Sequence, residues 1–315
     1  MIKLINKMML KRLFFIVFCI MIVKVYGQNE TVIHYTIEDG LQSNLVKAIY
    51  KDDVGYMWIG SDAGVVRFDG MNFVDLNEHL PSIYVKGFVR KSAQVFYILT
   101  DGGIVEVSIH GIKYKFKEVK TSERFIYPKQ GFTDSKGRVW ISGSRSICLI
   151  DEGGVKEFNV GGEYVSDNFL RSFQIFEGRE GNIYAITTRG VLLKFDGESK
   201  SFGYMKELEI GAGKRVDAIL YESKTKSYYI AGSDGVFQIA ENGEDISTRQ
   251  ILAHKTISSI AFREQEGYVG TYDKGLFVFA LAKSLSEEKV FQFSNVPIAG
   301  GGASVKALFL DDDKS

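Results

Sequence analysis

Seven charged residues stand one or two positions before a recurring turn: Asp62, Asp101, Arg145, Arg189, Asp234, Asp273 and Lys274. Carboxylates and cations gathered around one opening can hydrogen-bond the hydroxyls of a sugar or hold a charged small molecule. Asp is also favoured in tight turns for bonds to its own backbone, so these residues have a structural use beside the binding one. Other candidates for chemistry are thin. His34, His79, His110 and His254 share no metal-ligand spacing and fall in different repeats or connections. There is no Gly-x-Ser-x-Gly elbow, no phosphate loop, and no histidine adjacent to Cys148 in the chain. Asp311-Asp312-Asp313 lacks the glycine and distal carboxylate of a calcium loop and reads as a turn like Asp52-Asp53. The expectation is no catalytic residue, no metal and no cofactor.

The elements that must position the seven charges repeat along the chain. Gly55-Tyr56-Met57-Trp58-Ile59-Gly60-Ser61-Asp62-Ala63-Gly64-Val65-Val66-Arg67-Phe68-Asp69-Gly70 reads as a strand, a tight turn closed by Gly64, and a second strand. Copies follow at 97–104, 140–147, 184–191, 229–236 and, one residue longer, 268–276. The turn anchors are Gly64, Gly103, Ser146, Gly190, Gly235 and Gly275, spaced by 39, 43, 44, 45 and 40 residues. A recurrence of about 40–45 residues with mixed strand and turn chemistry predicts the blades of a β-propeller. An aromatic precedes each anchor by six residues (Trp58, Tyr97, Trp140, Tyr184, Tyr229) or, with the insertion, seven (Tyr268). The residue after each anchor is aliphatic: Val65, Ile104, Ile147, Val191, Val236 and Leu276. Large flat residues at one position of every blade suit face-to-face packing of twisted sheets.

Strands at 45–51, around Trp58, at 65–68 and at 73–76 complete one four-stranded blade joined by hairpins. In such a blade the loop between the second and third strands lies on the same face as the connections between blades. The seven charges are therefore expected to ring the mouth of a central channel. The stretch 32–36 reads as a short strand ahead of the first blade, able to supply the outer strand of the last one. Helical turns are plausible only at 206–213 and 282–289, between repeats.

Composition bounds the function. Lys plus Arg and Asp plus Glu both number 39, so the net charge is zero, against a general nucleic-acid binder. Residues 1–27 carry Lys3, Lys7, Lys11 and Arg12, an apolar run at 13–23, and Val25-Tyr26-Gly27 before Gln28, the pattern of a cleaved signal peptide. The run is short for a membrane span, the competing reading being an uncleaved anchor. With Cys19 removed, Cys148 remains alone, cannot form an internal disulfide, and reads as a small buried hydrophobe.

Val305-Lys306-Ala307-Leu308-Phe309-Leu310-Asp311 repeats Val46-Lys47-Ala48-Ile49-Tyr50-Lys51-Asp52 almost residue for residue. The organisation expected is a signal peptide at 1–27, six blades over 28–302, and a truncated seventh blade begun at 303–315. The architecture is then all-β, a seven-bladed propeller whose last blade is cut short, and the chain reads as a fragment of something longer.

Tyr35-Thr36-Ile37-Glu38-Asp39-Gly40-Leu41-Gln42-Ser43-Asn44, then 46–52, 55–61 and 64–70, closely resemble the two-component regulator propeller repeat. The third repeat (134–150) and the fifth (216–239) match fairly, the others in outline. The resemblance implies a periplasmic, non-enzymatic sensor region of a hybrid histidine kinase or related membrane regulator from Bacteroidetes-type bacteria. It implies a carbohydrate or other small ligand, downstream signalling domains that this chain does not contain, and homodimerisation through the full-length protein. The competing readings are a propeller lyase or hydrolase acting on carbohydrate, with paired carboxylates in the channel, and a free protein-interaction scaffold.

Overall fold

A computed structural model describes residues 33–122, 125, 127–164, 173–212, 215–222, 226–242, 245–253, 256–263, 266–280, 291–292 and 304–310. The chain divides into compact units at 1–34 and 35–315. Of the first unit, only Ile33 and His34 are described, and they have no regular secondary structure. The second unit is an all-β propeller.

Its first blade runs through Val46–Lys51, Met57–Ser61, Gly64–Phe68 and Phe73–Asp75, antiparallel and in sequence order. Five more four-stranded sheets repeat this meander. Their first strands are Val85–Ser92, Gln130–Thr133, Gln174–Glu177, Val216–Glu222 and Ile257–Arg263. Each first strand touches that of the next blade, so the six first strands form the inner wall.

Among the described residues the core is divided between blades. Five apolar clusters each lie between two neighbouring blades. The recurring aromatic is their anchor: Trp58, Tyr97 and Trp140 are fully buried, and Tyr184 and Tyr229 nearly so. Trp140 meets Phe158 of its own blade and Phe195 and Phe202 of the next, with ring centroids 5.1 to 6.3 Å apart. Such rings supply the large apolar area that holds two twisted sheets face to face. Tyr268, the copy with the insertion, is only half-buried, and its hydroxyl donates to Glu266 at 2.7 Å. Cys148 is fully buried in the cluster between blades two and three, and burial first, then Glu157, pushes its thiol up to about 12.

Two buried carboxylates brace the turns between first and second strands. Asp52 accepts from the Val54, Gly55 and Tyr56 amides, from the Trp58 indole at 2.8 Å, and from the Tyr114 hydroxyl of blade two at 2.6 Å. Asp134 does the same for the Lys136 and Arg138 amides, the Arg138 guanidinium and the Trp140 indole. An acid six residues before a tryptophan is thus a clamp on that tryptophan. Burial alone would raise the Asp134 carboxyl, but the Trp140 indole and the Arg138 amide and guanidinium outweigh it and hold the acid below its ordinary value.

At the opposite face, the anchor glycine of blade one has φ +127°, a left-handed conformation that disfavours side chains. The Ser61 hydroxyl donates to its carbonyl. Thr100 and Thr271 close the equivalent turns of blades two and six the same way.

Several expectations need correction. Residues 33–36 form no strand; Thr36 instead caps a short 3-10 turn at Ile37–Asp39, its hydroxyl accepting from the Glu38 amide. The helical turn expected at 206–213 is absent, since Ser201–Glu207 is a strand and 208–212 are irregular. The stretch 282–289, the triplet 311–313, His254 and the signal segment lie outside the described residues. The described residues form six blades, and 304–310, expected to open a seventh, are assigned no strand. They are nonetheless docked on blade six: the Val305 amide donates to Thr271 O at 2.8 Å, and the Ser258 hydroxyl donates to Val305 O.

Candidate functional site

The site grows out of an irregularity repeated at the start of the inner strands. In four blades the pairing of first and second strands slips by one residue: between Val46 and Ala48, Val85 and Gly87, Val216 and Ala218, and Ile257 and Ser259. The residues left unpaired are Lys47, Lys86, Asp217 and Ser258. A β-bulge breaks the alternation of faces and re-aims the extra side chain. All four line a central cavity of about 600 Å³.

The same cavity is lined by Lys129 and Gln130 of blade three, Gln174 of blade four, Tyr127, Tyr272 and Lys306. Lys306 enters from the docked segment, whose Val305-Lys306-Ala307 matches Val46-Lys47-Ala48. Among the described residues, four lysines and one aspartate thus face one space.

Their partners differ. Lys86 pairs with Asp101 at 2.8 Å, and Asp217 with Arg215 at 2.8 Å. Lys306 lies over the Tyr272 ring at 4.1 Å, with the Arg215 guanidinium 5.3 Å from the same ring. The Tyr272 hydroxyl reaches toward Asp217 at 3.4 Å. Burial, then the neighbouring Lys47, pushes the Lys306 ammonium below its usual value, with Asp217 opposing. Burial and then Asp217 raise the Tyr272 phenol, against the effect of Arg215. The two glutamines are structural: Gln130 exchanges two hydrogen bonds with the Ile175 backbone, at 3.1 and 2.8 Å, and Gln174 donates to Asp217 O at 3.4 Å. They stitch adjacent inner strands together.

The seven turn residues lie on the same face as the strand starts, because Val46 pairs with Ser61 and Val85 with Thr100 beside the turns. None of the seven lines the cavity. Asp101 reaches it through Lys86. Asp273 accepts from the Thr256 hydroxyl, and the Lys274 amide donates to Thr271 Oγ1 at 2.8 Å. The Arg189 amide donates to Thr187 Oγ1, and Arg145 and Asp234 offer backbone carbonyls to Val160 and Gln250. Asp62 occupies the turn of blade one. The inner-strand lysines escaped the sequence reading, although the copied Val-Lys-Ala at 46–48 and 305–307 and Val-Lys-Gly at 85–87 carried the signal.

Residues 40–63 match the family model described as two component regulator propeller. That stretch of the first blade is similar to one copy of the two-component regulator propeller repeat. A comparison with curated proteins finds no match. Among solved structures, this propeller is similar to the extracellular domain described for a hybrid two component system of B. thetaiotaomicron, BT3049. That alignment has a TM-score of 0.69 at 17% identity over 89% of this chain and 39% of the other. The extracellular domain described for a one component system of the same organism, BT4673, aligns with a TM-score of 0.68 at 16% identity, over 90% and 39%. Virginiamycin B lyase from Staphylococcus aureus aligns with a TM-score of 0.63 at 13% identity, over 85% and 90%. The chain spans about two fifths of the two Bacteroides domains, and at these identities the likeness is one of fold. Among the described residues, no helix is long and apolar enough to cross a membrane, and no cluster of His, Cys, Asp or Glu is arranged to hold a metal ion.

Proposed function

We propose that this propeller is a non-enzymatic ligand-sensing module of a two-component-type regulator. It would be exported to the periplasm by the segment 1–27 and bind a small ligand in the central cavity. One observation carries the reading: the register slips turn charged and polar side chains from separate blades toward one shared space, on a chain whose residues 40–63 match this repeat. A cavity of several hundred Å³ with a few convergent polar groups suits a drug-sized or sugar-sized ligand. A ligand touching several inner strands would change how blades pack, and that change would pass to signalling domains or to dimer geometry elsewhere in the regulator.

The ring is proposed to have seven positions, with 304–310 as the inner strand of the seventh. Support comes from the Val305 to Thr271 hydrogen bond, which parallels the Val216 to Thr188 bond between blades five and four.

The described groups in the cavity favour the sensor reading over the lyase reading. A histidine-to-alanine change inactivates the Staphylococcus lyase, whereas among the described residues no histidine lines this cavity and the one lining carboxylate, Asp217, is paired with Arg215.

The test is a host strain in which the propeller is deleted, with transcription profiled across carbon sources. Loss of a ligand-dependent response is expected. An unchanged response in the deletion strain contradicts the sensor reading.

A further inference from the structure

Among the described residues, two of the lysines that line the cavity have no ion-pair partner. Lys86 has Asp101 and Asp217 has Arg215. Among the described ion pairs, none uses Lys47 or Lys306, although the two ammoniums line one cavity and repel one another. Lys306 is held there by the Tyr272 face, which favours the cation without neutralising it. Cations converging on one partly enclosed space attract a counter-charge more strongly than isolated surface lysines do.

We infer that the cavity is an anion site, and that its ligand is a small organic molecule bearing carboxylate, sulfate or phosphate groups seated between Lys47 and Lys306. The inference rests on the reading of the propeller as a ligand-binding module and adds the ligand's charge. Geometry divides the labour within the site. Lys47, on the bulge of blade one, and Lys306, on the docked segment, meet the acidic group from neighbouring inner positions. The Tyr272 ring, flanked by Lys306 and Arg215, offers a wall against which the carbon skeleton can lie. Asp217, held by Arg215 and reached by the Tyr272 hydroxyl, is placed to accept from a ligand hydroxyl beside that ring. The docked segment would then be gripped by ligand as well as by blade six, so occupancy would tie the two sides of the ring together.

The experiment is calorimetric titration of the purified chain at low ionic strength with citrate, sulfate, inorganic phosphate and a neutral disaccharide. Lys47→Met/Lys306→Met is compared with Lys115→Met, which removes a charge on the exposed outer strand of blade two. Binding of citrate to the wild type is expected, weakening with added salt. It should weaken by about tenfold or more in the double variant and stay unchanged in Lys115→Met. Lys47→Arg/Lys306→Arg keeps the charges and should retain binding, which separates loss of charge from loss of fold. Binding of sulfate or phosphate alone, without citrate, would assign the site to an inorganic anion and overturn the organic ligand. If no anion binds, or anions bind equally to the double variant, the anion site is overturned. Binding of the disaccharide in that case leaves the sensing module intact and makes its ligand neutral.

Discussion

Two rings of polar residues lie on the same face of this propeller, and they do different work. The turn ring, from Asp62 to Lys274, is spread along loops where backbone and hydroxyl groups close tight turns. The inner ring of Lys47, Lys86, Asp217, Ser258 and Lys306 begins within a few residues of it and faces the cavity. For Lys47, Lys86, Asp217 and Ser258, what separates the two rings is a one-residue slip. Where pairing runs true, a strand's side chains alternate between sheet faces and pack against neighbouring blades. Where it slips, one side chain is freed for the channel. A residue's place beside the mouth of a propeller therefore says less about binding than the register of the strand that carries it.

The contrast can be sharpened first at the turn backbone, where the largest effect is expected. At Gly235, φ is +142° and a Cβ would sit 1.9 Å from the Leu252 carbonyl oxygen. Gly235→Ala should therefore destabilise the chain by about 3–4 kcal/mol, read as a lower midpoint in urea. Next is the clamp on the aromatic layer. Asp134→Ala leaves the buried Trp140 indole and two amides without their acceptor, with an expected loss of about 2–3 kcal/mol.

The same carboxyl makes a pH prediction. Its folded-state value is depressed, so its contribution to stability is fully present above the unfolded value of about 4 and is lost as pH falls through the lower folded value. Urea midpoints should therefore fall on acidification below about pH 4, with a shallower fall in Asp134→Ala. An identical pH dependence in both proteins would break the clamp account.

The smallest effects on stability are expected in the two rings themselves. Asp62→Asn and Arg145→Gln should change unfolding free energy by less than about 0.5 kcal/mol. Lys306→Met should be neutral or slightly stabilising, because it removes a cation repelled by Lys47. A loss of more than about 1 kcal/mol there would make Lys306 a structural residue and erase the distinction between the rings.

Much of this was legible in the chain. The anchors Gly64 to Gly275 marked the turns, and the aromatic ahead of each marked the layer between blades, because both follow from local geometry and burial that repeat with the blade. Tyr268 is the instructive exception, half-buried where one inserted residue alters the rhythm. The stretch 32–36 reads as a short strand in sequence, but over the described residues 33–36 there is none, and the Thr36 cap and the Asp39 carboxylate turn the chain into a 3-10 turn at Ile37–Asp39. The inner ring was illegible for a physical reason. Alternation assigns a face to each residue only while the register holds, and a bulge is set by the pairing of two strands, not by the residue that it displaces. The repeated Val-Lys-Ala marked the position without revealing which way its lysine points.

The most direct test is a crystal of the chain grown with selenate, whose anomalous signal locates an anion without assuming where it binds. The account predicts a peak inside the central cavity, within about 4 Å of the Lys47 and Lys306 ammoniums. A cavity without signal, with peaks at Arg145, Arg189 or Lys274 instead, would contradict it and return recognition to the turns.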